Sequence, residues 1–214
     1  MKKTKIDWAD STWNPVTGCL HGCEYCYAKA IANRFGWHAN EPDINERILH
    51  EIPVFDGKKQ PYPFDFAPTF HQYRLVEPAA WTKPRTIFVC SMADLFGDWV
   101  PDEWIKRVFE TCEAAPKHRY LFLTKNPARY IELAEKDILP DGADNMWFGS
   151  TATTPETEFF FSGGHNTFLS IEPILKPFHD SLDAGVQACE KTDWIIVGAE
   201  TGNRKDKVIP KADW

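Results

Sequence analysis

The stretch Asp193-Trp194-Ile195-Ile196-Val197-Gly198-Ala199-Glu200 reads as a strand buried on both faces. Its apolar side chains follow one another without alternation, and the run stops at glycine and glutamate. Such a pattern belongs to a parallel sheet covered on both sides rather than to a sheet with one wet face. Working outward, four more runs share the form: Thr86-Ile87-Phe88-Val89-Cys90-Ser91, Tyr120-Leu121-Phe122-Leu123-Thr124-Lys125, Met146-Trp147-Phe148-Gly149-Ser150 and Thr167-Phe168-Leu169-Ser170-Ile171-Glu172. A short first strand is expected to end at Val16-Thr17-Gly18.

Helical spacing fills the intervals. Residues 101–115 place Trp104, Ile105, Val108, Phe109 and Cys112 on one face, with Pro101 suited to the first turn. Asn126-Pro127 reads as N-cap and first residue of a helix carrying Tyr130, Ile131, Ala134 and Ile138. Further helices are expected over 27–35 and 181–190. Strands alternating with helices predict an α/β fold, as a partial (β/α) barrel of about six parallel strands, with a doubly wound open sheet as the alternative. Either arrangement places chemistry at the carboxyl ends of the strands, where these runs end in polar groups or glycine.

With 214 residues the chain is expected to form a single domain over 1–214. Residues 36–84 break the alternation, carry seven prolines, and read as an irregular insertion or lid, or as a surface decoration. A net charge of -7 argues against a protein whose main work is non-specific grip on nucleic acid. The clusters Lys83-Pro84-Arg85, Lys117-His118-Arg119 and Arg204-Lys205-Asp206-Lys207 read first as solvated surface. No apolar run reaches the roughly 20 residues of a membrane span, and the charged start Met1-Lys2-Lys3 has no apolar stretch behind it. A cytoplasmic location is expected.

Six cysteines in such a chain do not suggest a disulfide framework. Cys90, Cys112 and Cys189 stand alone in apolar surroundings and read as buried thiols. The other three lie together in Thr17-Gly18-Cys19-Leu20-His21-Gly22-Cys23-Glu24-Tyr25-Cys26-Tyr27. The spacing C-x3-C-x2-C lets three thiolates hold three irons of a cubane and leave the fourth open to a chelating ligand. Zinc is the alternative, with His21 as a fourth ligand.

This spacing, with an aromatic residue before the last cysteine, resembles the signature of the radical SAM superfamily. The stretches Trp13-Asn14-Pro15-Val16-Thr17-Gly18-Cys19, Ser91-Met92-Ala93-Asp94-Leu95-Phe96, Leu123-Thr124-Lys125, Leu169-Ser170-Ile171-Glu172-Pro173 and Val197-Gly198-Ala199-Glu200-Thr201-Gly202 occur in order. Together they resemble an uncharacterised phage and prophage family, a three-cysteine domain of unknown function that is radical SAM-like. Against that family the chain ends early, at Pro210-Lys211-Ala212-Asp213-Trp214, and 151–166 is short; a shortened form is expected.

The resemblance implies a [4Fe–4S] cluster on Cys19, Cys23 and Cys26, and S-adenosyl-L-methionine on the open iron. It further implies reductive cleavage of that cofactor and radical chemistry on a substrate, with a flavodoxin or ferredoxin as electron donor and a nucleobase, nucleotide or DNA as the substrate class. Tyr25, Ser91 and Asp94 are then expected at the cofactor, Asp94 as partner of its ammonium; a turn or cap is the other role open to Asp94. Lys125 suits a carboxylate or an anionic substrate, or is a surface lysine. Ser150 and Glu172 suit ribose hydroxyls, although Glu172, before a proline, could fix a loop. Gly198 and Glu200 end the last strand, where glycine permits close backbone approach. His21 is expected to hydrogen-bond within the loop, and His71 and Arg74, in the insertion, are candidates to reach the pocket. The alternative function is a non-catalytic iron–sulfur or zinc-binding protein that keeps the fold only.

Overall fold

The computed structural model describes residues 4, 6–36, 42–178, 190–200, 206–211 and 214. It comprises two compact units, Met1–Phe122 and Leu123–Trp214. The helix expected over 181–190 falls almost wholly outside the described residues, as do Cys189, Thr201-Gly202 and Arg204-Lys205.

The first unit contains, in chain order, β1 (Ser11–Trp13), β2 (Val16–Thr17), α1 (Tyr27–Phe35), β3 (Ile48–Leu49), β4 (Val54–Phe55), β5 (Lys58–Lys59), β6 (Thr69–His71), α2 (Glu77–Ala80), β7 (Thr86–Val89) and α3 (Asp102–Ala114). It also holds most of β8 (Arg119–Thr124). Strands β1, β7 and β8 pair in parallel, with Ser11 opposite Ile87 and Phe88 opposite Leu121. Ile87, Phe88 and Val89 are all buried, which is the two-sided burial that an unalternating run requires. Helix α3 buries Trp104, Ile105, Val108, Phe109 and Cys112, the expected face; Pro101 stands at its N-cap rather than inside the first turn.

The first strand of the parallel ladder is Ser11–Trp13, not the segment ending at Gly18. Pro15 supplies no N–H, and beyond it Val16–Thr17 leaves the ladder to pair antiparallel with β6. Strand β3 pairs with β6 in parallel. The end of the long insertion is therefore core. Phe66, Ala67, Thr69, Phe70 and His71 are buried, and Phe70 stacks on Trp104 of α3 with centroids 5.4 Å apart and planes at 19°. Its β4–β5 hairpin lies at the surface, with Val54, Phe55, Lys58 and Lys59 exposed.

The second unit contains α4 (Ala128–Glu135), β9 (Met146–Thr151), β10 (Asn166–Ile171) and β11 (Trp194–Val197). These three strands pair in parallel, with Leu169 opposite both Ser150 and Ile195. Ala152, Leu169, Ile171 and Ile174 form a core cluster against which Phe159, Phe178, Ile195 and Trp214 pack. Helix α4 turns a different face inward from the one expected. Arg129, Tyr130 and Leu133 are buried, while Ile131 and Ala134 are exposed and Ile138 lies past the helix end. The Tyr130 hydroxyl donates to the Gly149 carbonyl at 3.1 Å, and its ring meets Phe148 edge-on, so this tyrosine sets the rotation of the helix. Parallel strands with α3 between β7 and β8 and α4 between β8 and β9 make the fold α/β, and within each unit the ladder is open. Among the described residues no helix is long and apolar enough to cross a membrane.

Candidate functional site

The three clustered cysteines occupy the loop between β2 and α1. Two backbone bonds anchor its start: Gly18 N–H to the Met92 carbonyl at 2.9 Å and Cys19 N–H to the Phe66 carbonyl at 3.1 Å. Gly18 has a φ of +90°, and the Ala67 carbonyl sits where a side chain would begin, so only glycine fits there. At the loop's end Cys26 is the N-cap of α1, its Sγ accepting from the Lys29 N–H at 3.4 Å. Cys19, Cys23 and Cys26 are all free and half-buried. Cys19 and Cys26 both pack on the cluster of Ala28, Ala32, Phe66 and Met92.

Burial pushes the Cys19 thiol up to about 11. The Asp94 and Cys26 charges add to the rise, while hydrogen bonds from the backbone of His21 and Asp94 oppose it. Cys90 and Cys112 are buried, as expected of structural thiols. By chemistry the loop suits a thiolate-bound metal, with three free sulfurs within eight residues. Among the described residues, however, no three Cys, His, Asp or Glu side chains are gathered closely enough to hold an ion. Loading a metal therefore requires the loop to draw its thiols together.

The turn after β7 meets this loop. Asp94, 6% exposed, accepts the Phe96 N–H on Oδ1 at 3.0 Å and faces His21 Nε2 with Oδ2 at 2.8 Å. It thus plays the turn role, and each oxygen already takes one donor from the chain. Ser91 donates its hydroxyl to Asn14 Oδ1 at 3.2 Å, and its carbonyl accepts the Tyr27 hydroxyl at 2.7 Å. Tyr25 is half-buried in the loop. His71 and Arg74 serve the framework. His71 Nε2 meets Thr17 Oγ1 at 2.8 Å, and Arg74 donates to the Asn14 carbonyl at 2.8 Å. Burial holds His71 well below the ordinary histidine pKa, and the Arg74 charge adds to the effect.

In the second unit Glu172 and Gly198 come together at the carboxyl ends of β10 and β11. The Glu172 carboxylate lies where a side chain at 198 would project. Gly198 donates to the Ile171 carbonyl and accepts from the Ile174 N–H. Ser150 is fully buried, and its hydroxyl accepts the Phe160 N–H at 2.9 Å, which gives it a loop-fixing role. Lys125, just past β8, is half-buried, and Glu200 is buried. Sequence reading passed over Ser170. Its side chain is 1% exposed, and its Oγ has no hydrogen-bond partner among the described residues. A hydroxyl within an apolar strand was the signal that could have found it. A polar cleft of about 310 Å³ opens at the opposite, amino ends of β9–β11, beside Asp144, Ser162, His165 and Asp193.

One family model matches the chain, over residues 3–214; its description is "Protein of unknown function (DUF5131)". No curated protein and no solved structure matches.

Proposed function

Because the chain belongs to the DUF5131 family of proteins of unknown function, we propose a role from its own residues: a radical SAM enzyme with Cys19, Cys23 and Cys26 as ligands of a [4Fe–4S] cluster. The observation that carries this reading is the set of three free, half-buried thiols at C-x3-C-x2-C spacing on one loop beside an α/β framework. When bound, the cluster and S-adenosyl-L-methionine supply reductive cleavage and radical initiation. The finer fold that goes with this role is the partial (β/α) barrel.

The protein's part is to bind, orient and exclude water. Asp94 suits an ammonium group by its charge. Tyr25 stands just before Cys26 in the loop, and Ser91 stands three residues before Asp94. Lys125 suits a carboxylate by charge, and Glu172, Gly198 and Glu200 carry polar and backbone groups of the kind that a nucleoside takes, while Ser150, expected to share that work, is engaged with Phe160. The reading carries with it a flavodoxin or ferredoxin as electron donor, a nucleotide or DNA as substrate class, and a cytoplasmic, reducing setting in which the thiols stay free.

Anaerobic incubation with iron and sulfide tests it, followed by dithionite reduction with S-adenosyl-L-methionine and an assay for 5′-deoxyadenosine. The expected result is the broad visible absorption of thiolate-bound iron, lost in Cys23→Ala, together with 5′-deoxyadenosine. Iron binding without cleavage would replace the enzyme by a non-catalytic iron–sulfur protein. Tight zinc binding with no iron uptake, or an unchanged spectrum in Cys23→Ala, would overturn the cluster.

A further inference from the structure

Two basic clusters that read separately as solvated surface are one feature of the fold. Lys83-Pro84-Arg85 leads into β7, and Lys117-His118-Arg119 leads into β8. Those strands are parallel neighbours with Arg119 opposite Thr86, and the Arg119 N–H donates to the Arg85 carbonyl at 2.8 Å. Strand pairing therefore brings both clusters to the amino end of one ladder. The turn that meets the cysteine loop lies at the other end of β7.

Trp81 joins the clusters. The Arg85 guanidinium lies over its ring, 5.2 Å from the centroid, and the buried His118 ring meets it edge-on with centroids 5.9 Å apart. Arg85 Nη1 donates to Ser11 Oγ at 2.7 Å, and Lys117 Nζ donates to the Ala79 carbonyl at 3.4 Å. These contacts fix the cations without neutralising them. Lys83, Arg85 and Lys117 have no carboxylate partner among the described residues. Asp10 reaches the same end, but its Oδ2 accepts the Thr86 N–H at 2.8 Å. Lys83, Lys117 and Arg119 are exposed, and Trp81 is half-buried. In a chain of 31 acidic and 24 basic residues, cations gathered away from carboxylates repel one another, and a bound polyanion relieves that repulsion.

We propose that this end of the ladder binds single-stranded nucleic acid, with Lys83, Arg85, Lys117 and Arg119 on its phosphates and the Arg85–Trp81 stack as the surface for a base. A guanidinium already held flat loses little freedom on meeting a phosphate. Unpaired bases stack on aromatic and guanidinium planes, whereas a duplex keeps its bases inside and gains the phosphate contacts alone. The surface needs neither cluster nor cofactor, so it stands apart from the metal reading of the cysteine loop.

The test titrates a fluorescein-labelled oligothymidylate of about 20 nucleotides with the full chain, read by anisotropy over a range of salt. Binding is expected at low salt, with log K falling against log[salt] at a slope of about −2 to −3, the value for three or four phosphate contacts on a single strand. Lys83→Glu/Lys117→Glu is expected to weaken binding at least about tenfold and to flatten the slope by about 1.4. Lys58→Glu/Lys59→Glu makes the same change in net charge on the exposed β4–β5 hairpin and is expected to leave binding within about twofold. Trp81→Leu is expected to cost about 5- to 100-fold, with circular dichroism to verify its fold; should it not fold, a duplex of equal length, expected to bind more weakly than the single strand, tests the stacking surface instead. Absence of binding at low salt, or equal losses in the two lysine pairs, refutes the patch. A duplex bound as tightly as the single strand refutes the stacking surface and the single-strand assignment. None of these outcomes bears on iron uptake or 5′-deoxyadenosine, so the two readings fail separately.

Discussion

Replacing Gly18 by alanine drives a methyl group into the Ala67 backbone, because the ideal Cβ position is already taken by that carbonyl and by Pro68 N. Two costs combine. A side chain at positive φ costs ~1–2 kcal/mol, and forcing a methyl into filled space costs a further ~1–3 kcal/mol. Gly22 separates them. Its φ is +69° and nothing lies within 4 Å of its ideal Cβ, so Gly22→Ala carries the backbone cost alone. In urea melts followed by tryptophan fluorescence, with a slope of ~2 kcal/mol per molar, the midpoint of Gly18→Ala should fall about 0.5–1.5 M below that of Gly22→Ala. Equal midpoints would show that the cysteine loop does not press on residues 66–68 as described, and the anchoring of Cys19 to Phe66 would fall with it.

The insertion divides into core and surface, and two substitutions distinguish them. Phe70→Ala, at a fully buried ring stacked on Trp104, should cost ~3–5 kcal/mol, whereas Phe55→Ser on the exposed hairpin should stay within ~0.5 kcal/mol; comparable losses in denaturant melts would contradict the assignment. Thiol reactivity gives a pH test. With its thiol at about 11 instead of the usual 9.0, Cys19 should alkylate ever faster from pH 9 to 11 rather than levelling off near 9, as followed by peptide mass spectrometry. The sign for stability is the same: the neutral buried thiol favours the fold fully below pH 9, and that contribution is lost as pH rises through 11. Cys90, pushed up by burial to about 12, and the buried Cys112 should remain unlabelled in the native chain; their labelling at the rate of Cys23 would refute their burial.

Strands β7 to β11 and helices α1 and α3 were legible in the sequence because each rests on a local pattern: an unbroken apolar run, or apolar residues at helical spacing. The candidate ligands were legible for the same reason, since Cys19, Cys23 and Cys26 share eight residues of chain. Partnership between distant segments decided the rest. A strand of three residues such as Ser11–Trp13 carries no pattern of its own and exists through its pairing with β7. The inward face of α4 follows Tyr130 and its bond to Gly149. The proline-rich insertion enters the core because β6 pairs with β2 and β3. Asp94 reads equally as an ammonium partner and as a turn or cap residue until His21 and Phe96 are brought to it. Short-range order is written in neighbouring side chains, but a hydrogen bond spanning 73 residues is set by where the folded backbone returns, and only the tertiary structure holds that information.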